Sequence, residues 1–105
     1  MTILKALFDE DAVIPNPVQP DPKDPTKLVP YQGEPLTVGG ELNKLAWNYG
    51  VGRDWAGIHW RSDFSASLPL GEALAISVLR NERQTYREQF EKFTFTRFDG
   101  TKVEV

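Results

Sequence analysis

The chain has 105 residues, 40% hydrophobic and 26% charged, with a formal net charge of −3. That describes one small globular domain, or a piece of a larger one, and the acidic balance argues against a general nucleic-acid binder, which carries a basic surplus. The lack of cysteine excludes disulfide staples and thiolate metal sites, and no apolar run approaches the roughly 20 residues needed to span a bilayer.

The first residues, Met1-Thr2-Ile3-Leu4-Lys5-Ala6-Leu7-Phe8, run into acids at Asp9, Glu10 and Asp11. No basic n-region, long apolar core or small-residue cleavage site precedes them, so a cytoplasmic location is the default expectation. Ile3, Leu4, Leu7 and Phe8 are apolar anchors for a short helical turn or extended segment. From Val13 to Pro35 the chain is punctuated by Pro15, Pro17, Pro20, Pro22, Pro25, Pro30 and Pro35. Proline lacks the N–H that helices and sheet ladders use, so this arm is expected to be extended and irregular. Val13, Ile14, Leu28, Val29 and Tyr31 give it apolar anchors that a bare linker does not need.

Thr37 is a candidate N-cap, and Glu41 sits near the positive end of the helix that follows. Leu42, Leu45, Ala46 and Tyr49 recur at helical spacing, which predicts a helix over 38–57. Gly50 and Gly52 are poor helix formers and point to close packing or close approach of a ligand. Residues 59–67 read as a connector, with Asp63 or Ser65 capping a second helix. Leu68, Leu70, Leu74, Ala75, Val78 and Leu79 carry that helix, with Pro69 in its first turn. A solvated continuation runs to Glu88. Phe93-Thr94-Phe95-Thr96-Arg97-Phe98 and Thr101-Lys102-Val103-Glu104-Val105 alternate around Asp99-Gly100. That pattern predicts a β-hairpin with a type I′ turn, its Phe93, Phe95, Val103 and Val105 packed on helices or on another chain. The fold class is therefore mainly α: a helical hairpin from a larger bundle, with a Pro-rich arm (1–36), a helical pair (37–88) and a β-hairpin tail (89–105).

The chemistry concentrates in Gly52-Arg53-Asp54-Trp55-Ala56-Gly57-Ile58-His59-Trp60-Arg61-Ser62-Asp63, which holds the only histidine. Arg53 and His59 lie six apart and do not share a face of a straight helix. A helix ending near Gly57 lets the chain turn His59 back toward Arg53. Asp63, four residues beyond His59, is spaced to meet one imidazole nitrogen and leave the other free as nucleophile or metal ligand. Arginine offers a planar fork of donors to an oxyanion. Arg53, His59 and Asp63 thus form half of a phosphate-like or vanadate-like site. Trp47, Trp55 and Trp60 read as core or interface packing, Asp54 as a surface charge, Glu41 as structural, and Arg61 as a partner for Asp63 or a partner's carboxylate.

The spacing arginine, five residues, histidine, three residues, aspartate resembles the third signature of the type 2 phosphatidic acid phosphatase superfamily, which includes the vanadium-dependent haloperoxidases. The serine usual before that arginine is here Gly52. The stretches 36–46, Gly57–Asp63 and Leu70–Ile76, and the arm around Val13–Pro17 and Leu28–Tyr31, look like bacterial members of the haloperoxidase group. The resemblance covers residues 3–80. It implies an all-α bundle enzyme in which His59 binds vanadium directly, or attacks phosphorus in the phosphatases, Arg53 neutralises oxyanion charge, and Asp63 supports the cluster. It implies hydrogen peroxide and halide as substrates, or a phosphate ester. The lysine and arginine of the first signature and the Ser-Gly-His of the second are not present. The chain therefore reads as the C-terminal part of such an enzyme, inactive without its N-terminal half. The rival readings are a non-catalytic helical module that self-associates through the face around Leu70, Leu74 and Val78 or through the hairpin, and a stray anion site that binds phosphate through Arg53 and Arg61 without turnover.

Overall fold

Thr37 starts the helical part of the molecule as the sequence suggests. Its backbone is extended and its hydroxyl accepts a hydrogen bond from the Gly40 N–H at 3.1 Å, satisfying one of the donors that a helix start leaves free. The computed structural model, which describes residues 1–105, has seven elements. They are helix α1 (Thr2–Leu7), strands β1 (Val18–Pro20) and β2 (Leu28–Pro30), helices α2 (Val38–Trp55) and α3 (Arg61–Thr85), and strands β3 (Thr94–Thr96) and β4 (Lys102–Glu104). The chain is mainly α with two small antiparallel strand pairs, β1–β2 and β3–β4.

The proline-rich arm is extended, and within it Gln19 pairs with Val29 in a short ribbon. Its prolines sit at the ribbon ends, where a missing donor costs least. The return of the arm is pinned to the start of α2. Val38 N–H donates to Ala12 O at 3.0 Å and Gly39 N–H to Glu10 O at 2.8 Å. Gly39 is required there, because a Cβ would stand 2.9 Å from the Glu10 Cβ.

Helix α3 begins at Arg61, seven residues earlier than the connector reading of 59–67 allowed. Asp63 acts from the third helical position, its carboxylate accepting from the Trp60 N–H at 2.9 Å. Pro69 consequently lies inside the helix. An interior proline costs about 3 kcal/mol, and the edge-on packing of Phe64 on Trp47 of α2, 4.9 Å between centroids, offsets part of it.

The tail is a hairpin, but its turn is not type I′. Gly100 has φ +85, while Asp99 is not among the residues with positive φ. Type I′ requires positive φ at both central positions. Instead Gly100 N–H donates to Arg97 O at 3.0 Å, and Arg97 N–H to Thr101 O at 2.8 Å. This is a three-residue loop closed by a left-handed glycine. The hairpin lays Phe93, Phe95 and Val105 on Ile76 and Leu79 of α3, with Val103 partly buried against them.

That cluster is the whole apolar core. Only 9 of the 105 residues are buried, and Thr2, Lys5 and Glu72 are among them. The radius of gyration is 17.0 Å, against about 13 Å for a compact domain of this size. Helix α1 turns Thr2 and Lys5 inward, while Leu7 and Phe8, expected as anchors, are exposed. Leu70, Leu74, Trp47, Trp55 and Trp60 are exposed as well, so none of the three tryptophans is a core residue of this chain.

Lys5 is the buried cation of the fold. Its ammonium donates to Asn43 Oδ1 at 3.1 Å and to the Thr96 carbonyl, and lies 4.7 Å from the centre of the Phe98 ring. Burial pushes its pKa below the ordinary lysine value of 10.5, against the opposing pull of Glu10 and Glu72. Between its folded and unfolded pKa values the unfolded chain binds more protons, so this group's contribution to stability rises with pH over that window. The expected outcome is that Lys5→Ala lowers unfolding stability by about 2–4 kcal/mol, by leaving two acceptors unpaired and a hole. Urea titrations of Lys5→Met against the wild type at rising alkaline pH, up to 10.5, check the sign. The wild type gains relative to the variant.

Candidate functional site

The site is built by the way α2 ends. Gly57 has φ +72, the left-handed conformation that lacks a Cβ penalty only in glycine. Its N–H donates to Asp54 O at 3.0 Å, and the next N–H, of Ile58, reaches back to Arg53 O at 3.3 Å. This paired closure is a Schellman motif. It reverses the chain, and Arg61 opens α3 directly afterwards. His59 therefore sits in the corner, between the last turn of α2 and the first turn of α3.

Arg53, His59 and Asp63 line one open pocket of about 320 Å³, together with Ala46, Tyr49, Gly50, Asp54, Phe64, Ser67 and Leu68. Gly50 sets its floor. A Cβ there would lie 2.1 Å from the Phe64 ring, so this glycine is what lets α3 approach α2. Gly52 meets nothing within 4 Å and has no such packing role.

Asp63 has two duties. One oxygen, Oδ2, accepts from the Trp60 N–H and lies 3.5 Å from His59 Nδ1. The second distance is an electrostatic contact, too long for a good hydrogen bond. It favours a proton on Nδ1 and leaves Nε2 as the nitrogen with a free lone pair. His59 and Asp63 are each a little under half exposed. The Arg53 guanidinium donates from Nη2 to Tyr49 Oη at 2.7 Å and stands 4.8 Å from the Tyr49 ring centre. Arg61 makes no ion pair with Asp63, because the cap holds that carboxylate toward Trp60.

Three residues escaped the sequence reading. Tyr49 was read only as part of the helical stripe, and its four-residue spacing to Arg53 was the available signal. Asp54 is not a plain surface charge. Its Oδ1 is buried without a partner and the residue lines the pocket. Glu72 is buried and accepts from Arg97 Nε at 3.0 Å and Phe98 N–H at 2.8 Å. Nothing local marks it, since Arg97 lies 25 residues away.

The donor set is one imidazole nitrogen with a free lone pair and one guanidinium fork. That combination suits a metal oxyanion, with the nitrogen for the metal and the fork for its oxygens.

No family model matches the chain. At the level of single proteins it is 47% identical over 107 aligned residues to the vanadium-dependent bromoperoxidase of Corallina pilulifera. It is 46% identical to that of Corallina officinalis and 40% identical to that of Ascophyllum nodosum. These alignments take in 99–100% of this chain, so the similarity extends through the hairpin, past the stretch 3–80. The chain spans only 17–19% of the length of these relatives.

Replacing Gly57 by alanine is expected to cost about 1–2 kcal/mol, with the loss confined to the corner. Asp63→Ala is expected to cost about 1 kcal/mol through the lost cap. Thermal unfolding followed by circular dichroism measures both, and a neutral Gly57→Ala variant would contradict the Schellman assignment.

Proposed function

We propose that this chain supplies one wall of the vanadate centre of a haloperoxidase-like enzyme, which uses hydrogen peroxide to oxidise halide. The observation that carries the reading is the convergence of Arg53, His59 and Asp63 on one pocket. The 40–47% identity to proteins named as vanadium-dependent bromoperoxidases supports it. His59 Nε2 is the metal ligand, Asp63 orients the imidazole through Nδ1, and Arg53 balances the oxyanion's charge. Bound vanadate supplies a Lewis-acidic centre that activates peroxide toward halide.

One arginine is too little for turnover. Preorganised donors around the oxyanion usually carry the largest share of catalysis, at about 3 kcal/mol apiece. The remaining donors come from protein beyond these 105 residues, and the chain alone is a half-site without activity. The exposed faces at Leu70, Leu74, Trp55 and Trp60 support burial against that additional protein. Self-association through the same faces is the second reading, and sedimentation over a concentration series separates the two.

The test is a vanadate titration of the chain followed by ⁵¹V NMR. Weak binding, with a dissociation constant on the order of millimolar, is expected from one ligand and one charge-assisted contact. His59→Ala abolishes it, and Asp63→Asn weakens it by about 10- to 100-fold, as for other ligand-orienting carboxylates. Equal binding by wild type and His59→Ala would sink the assignment.

A further inference from the structure

We propose that Tyr49 is a positioning residue that fixes the Arg53 guanidinium against the pocket wall. The inference rests on the oxyanion reading of the pocket and goes beyond it, since Tyr49 belongs to none of the three signature positions.

Arg53 is exposed, and a free arginine side chain loses rotamer entropy on being held. An oxyanion that must first order that side chain binds correspondingly less well. Tyr49 removes the cost in advance. It lies one helical turn before Arg53, on the same face of α2. It acts in two ways at once. Its hydroxyl oxygen accepts from Nη2 at 2.7 Å, and its ring faces the guanidinium carbon at 4.8 Å from the centroid. This is the only side-chain hydrogen bond Arg53 makes within the chain, so its other N–H groups remain for an anion.

The position of Tyr49 makes this more than a surface pair. Beside the polar pocket runs an apolar groove that includes Met1, Ile3, Leu74 and Val78 in its lining. The two cavities share Ala46, Tyr49, Ser67 and Leu68. Tyr49 is the one residue in that shared wall that touches a charged group of the site. Tyr49 thus holds the guanidinium at the boundary between the polar pocket and the apolar groove.

Two variants separate the two contacts. Tyr49→Phe keeps the ring and loses the hydroxyl, and Tyr49→Leu loses both. In the full chain with ¹⁵N-labelled arginine, the Arg53 Nε–H resonance is assigned by its disappearance in Arg53→Lys. Its order parameter is expected to exceed that of Arg87, to fall in Tyr49→Phe, and to reach the Arg87 level in Tyr49→Leu. Circular dichroism confirms that each variant keeps its helices. Vanadate affinity is expected to drop about 3- to 10-fold in Tyr49→Phe and further in Tyr49→Leu. An Arg53 signal as mobile in the wild type as Arg87, or unchanged in both variants, overturns the proposal. If the order parameters follow the expected series while no variant binds vanadate, Tyr49's hold on Arg53 stands and the oxyanion reading of the pocket falls.

Discussion

A lysine ammonium buried under a small domain dictates much of how this chain is put together. Lys5 is wholly enclosed, and a buried cation is costly unless its donors are satisfied and a counter-charge is near. Each partner comes from a different part of the chain: Asn43 from α2, the Thr96 carbonyl from β3. Glu10 and Glu72 bias it electrostatically from the arm and from α3. Those carboxylates are themselves engaged. Glu10 accepts from the Thr96 hydroxyl at 2.6 Å, and Glu72 accepts from Arg97 and from the Phe98 N–H. One polar knot thus fixes α1, α2, α3 and the hairpin relative to one another. The apolar cluster beside it has only five buried members. Directional contacts therefore set the geometry that a larger core would set elsewhere.

The site hangs from this knot through α2 and α3. With Asn43 and Glu72 tied to the same centre, the helices must diverge or meet at their far ends, and local chemistry makes them meet. Gly50 admits Phe64, Gly57 reverses the chain, and Asp63 starts α3. The carboxylate that caps the helix is also the one that faces His59. Folding and site orientation are thus served by a single side chain. An acid at the third helical position also favours the helix dipole, so the charge needed beside the imidazole costs the fold nothing.

What was legible in the sequence was local. The Thr37 cap, the helical stripe through Tyr49, the glycine turn that brings His59 back, and the alternation in the tail all rest on neighbours within a few residues. The two buried charges were missed for one physical reason. Lys5 sits among Ile3, Leu4, Ala6 and Leu7, and helical spacing alone treats the apolar residues as the buried side. The actual buried side was chosen by partners 38 and 91 residues away. Glu72 was hidden in an apolar stripe for the same reason. Pro69 misled differently: a proline that usually marks a first turn lies inside α3, because the Asp63 cap starts the helix earlier. At the hairpin, Asp-Gly gave the right place and the wrong turn, since only Gly100 adopts positive φ. The approach of Asp63 to His59 was visible as spacing. That Tyr49 holds Arg53 was not, because its helical position reads equally well as packing.

The exposed apolar surface and the open pocket are consequences of one geometry. Two long helices joined at a corner have a concave side, and here α1 covers only part of it, leaving an open groove. Leu74 and Val78 line the groove on that side, with Met1 and Ile3 at its edge. Burying a leucine or valine side chain fully is worth about 1.5–3 kcal/mol, so these residues favour coverage strongly. The polar pocket adjoins the groove through shared wall residues. At the pocket itself, Arg53 has donors to spare and Asp54 holds a buried oxygen without a donor. An incoming segment that satisfies Asp54 brings a donor to the site's edge.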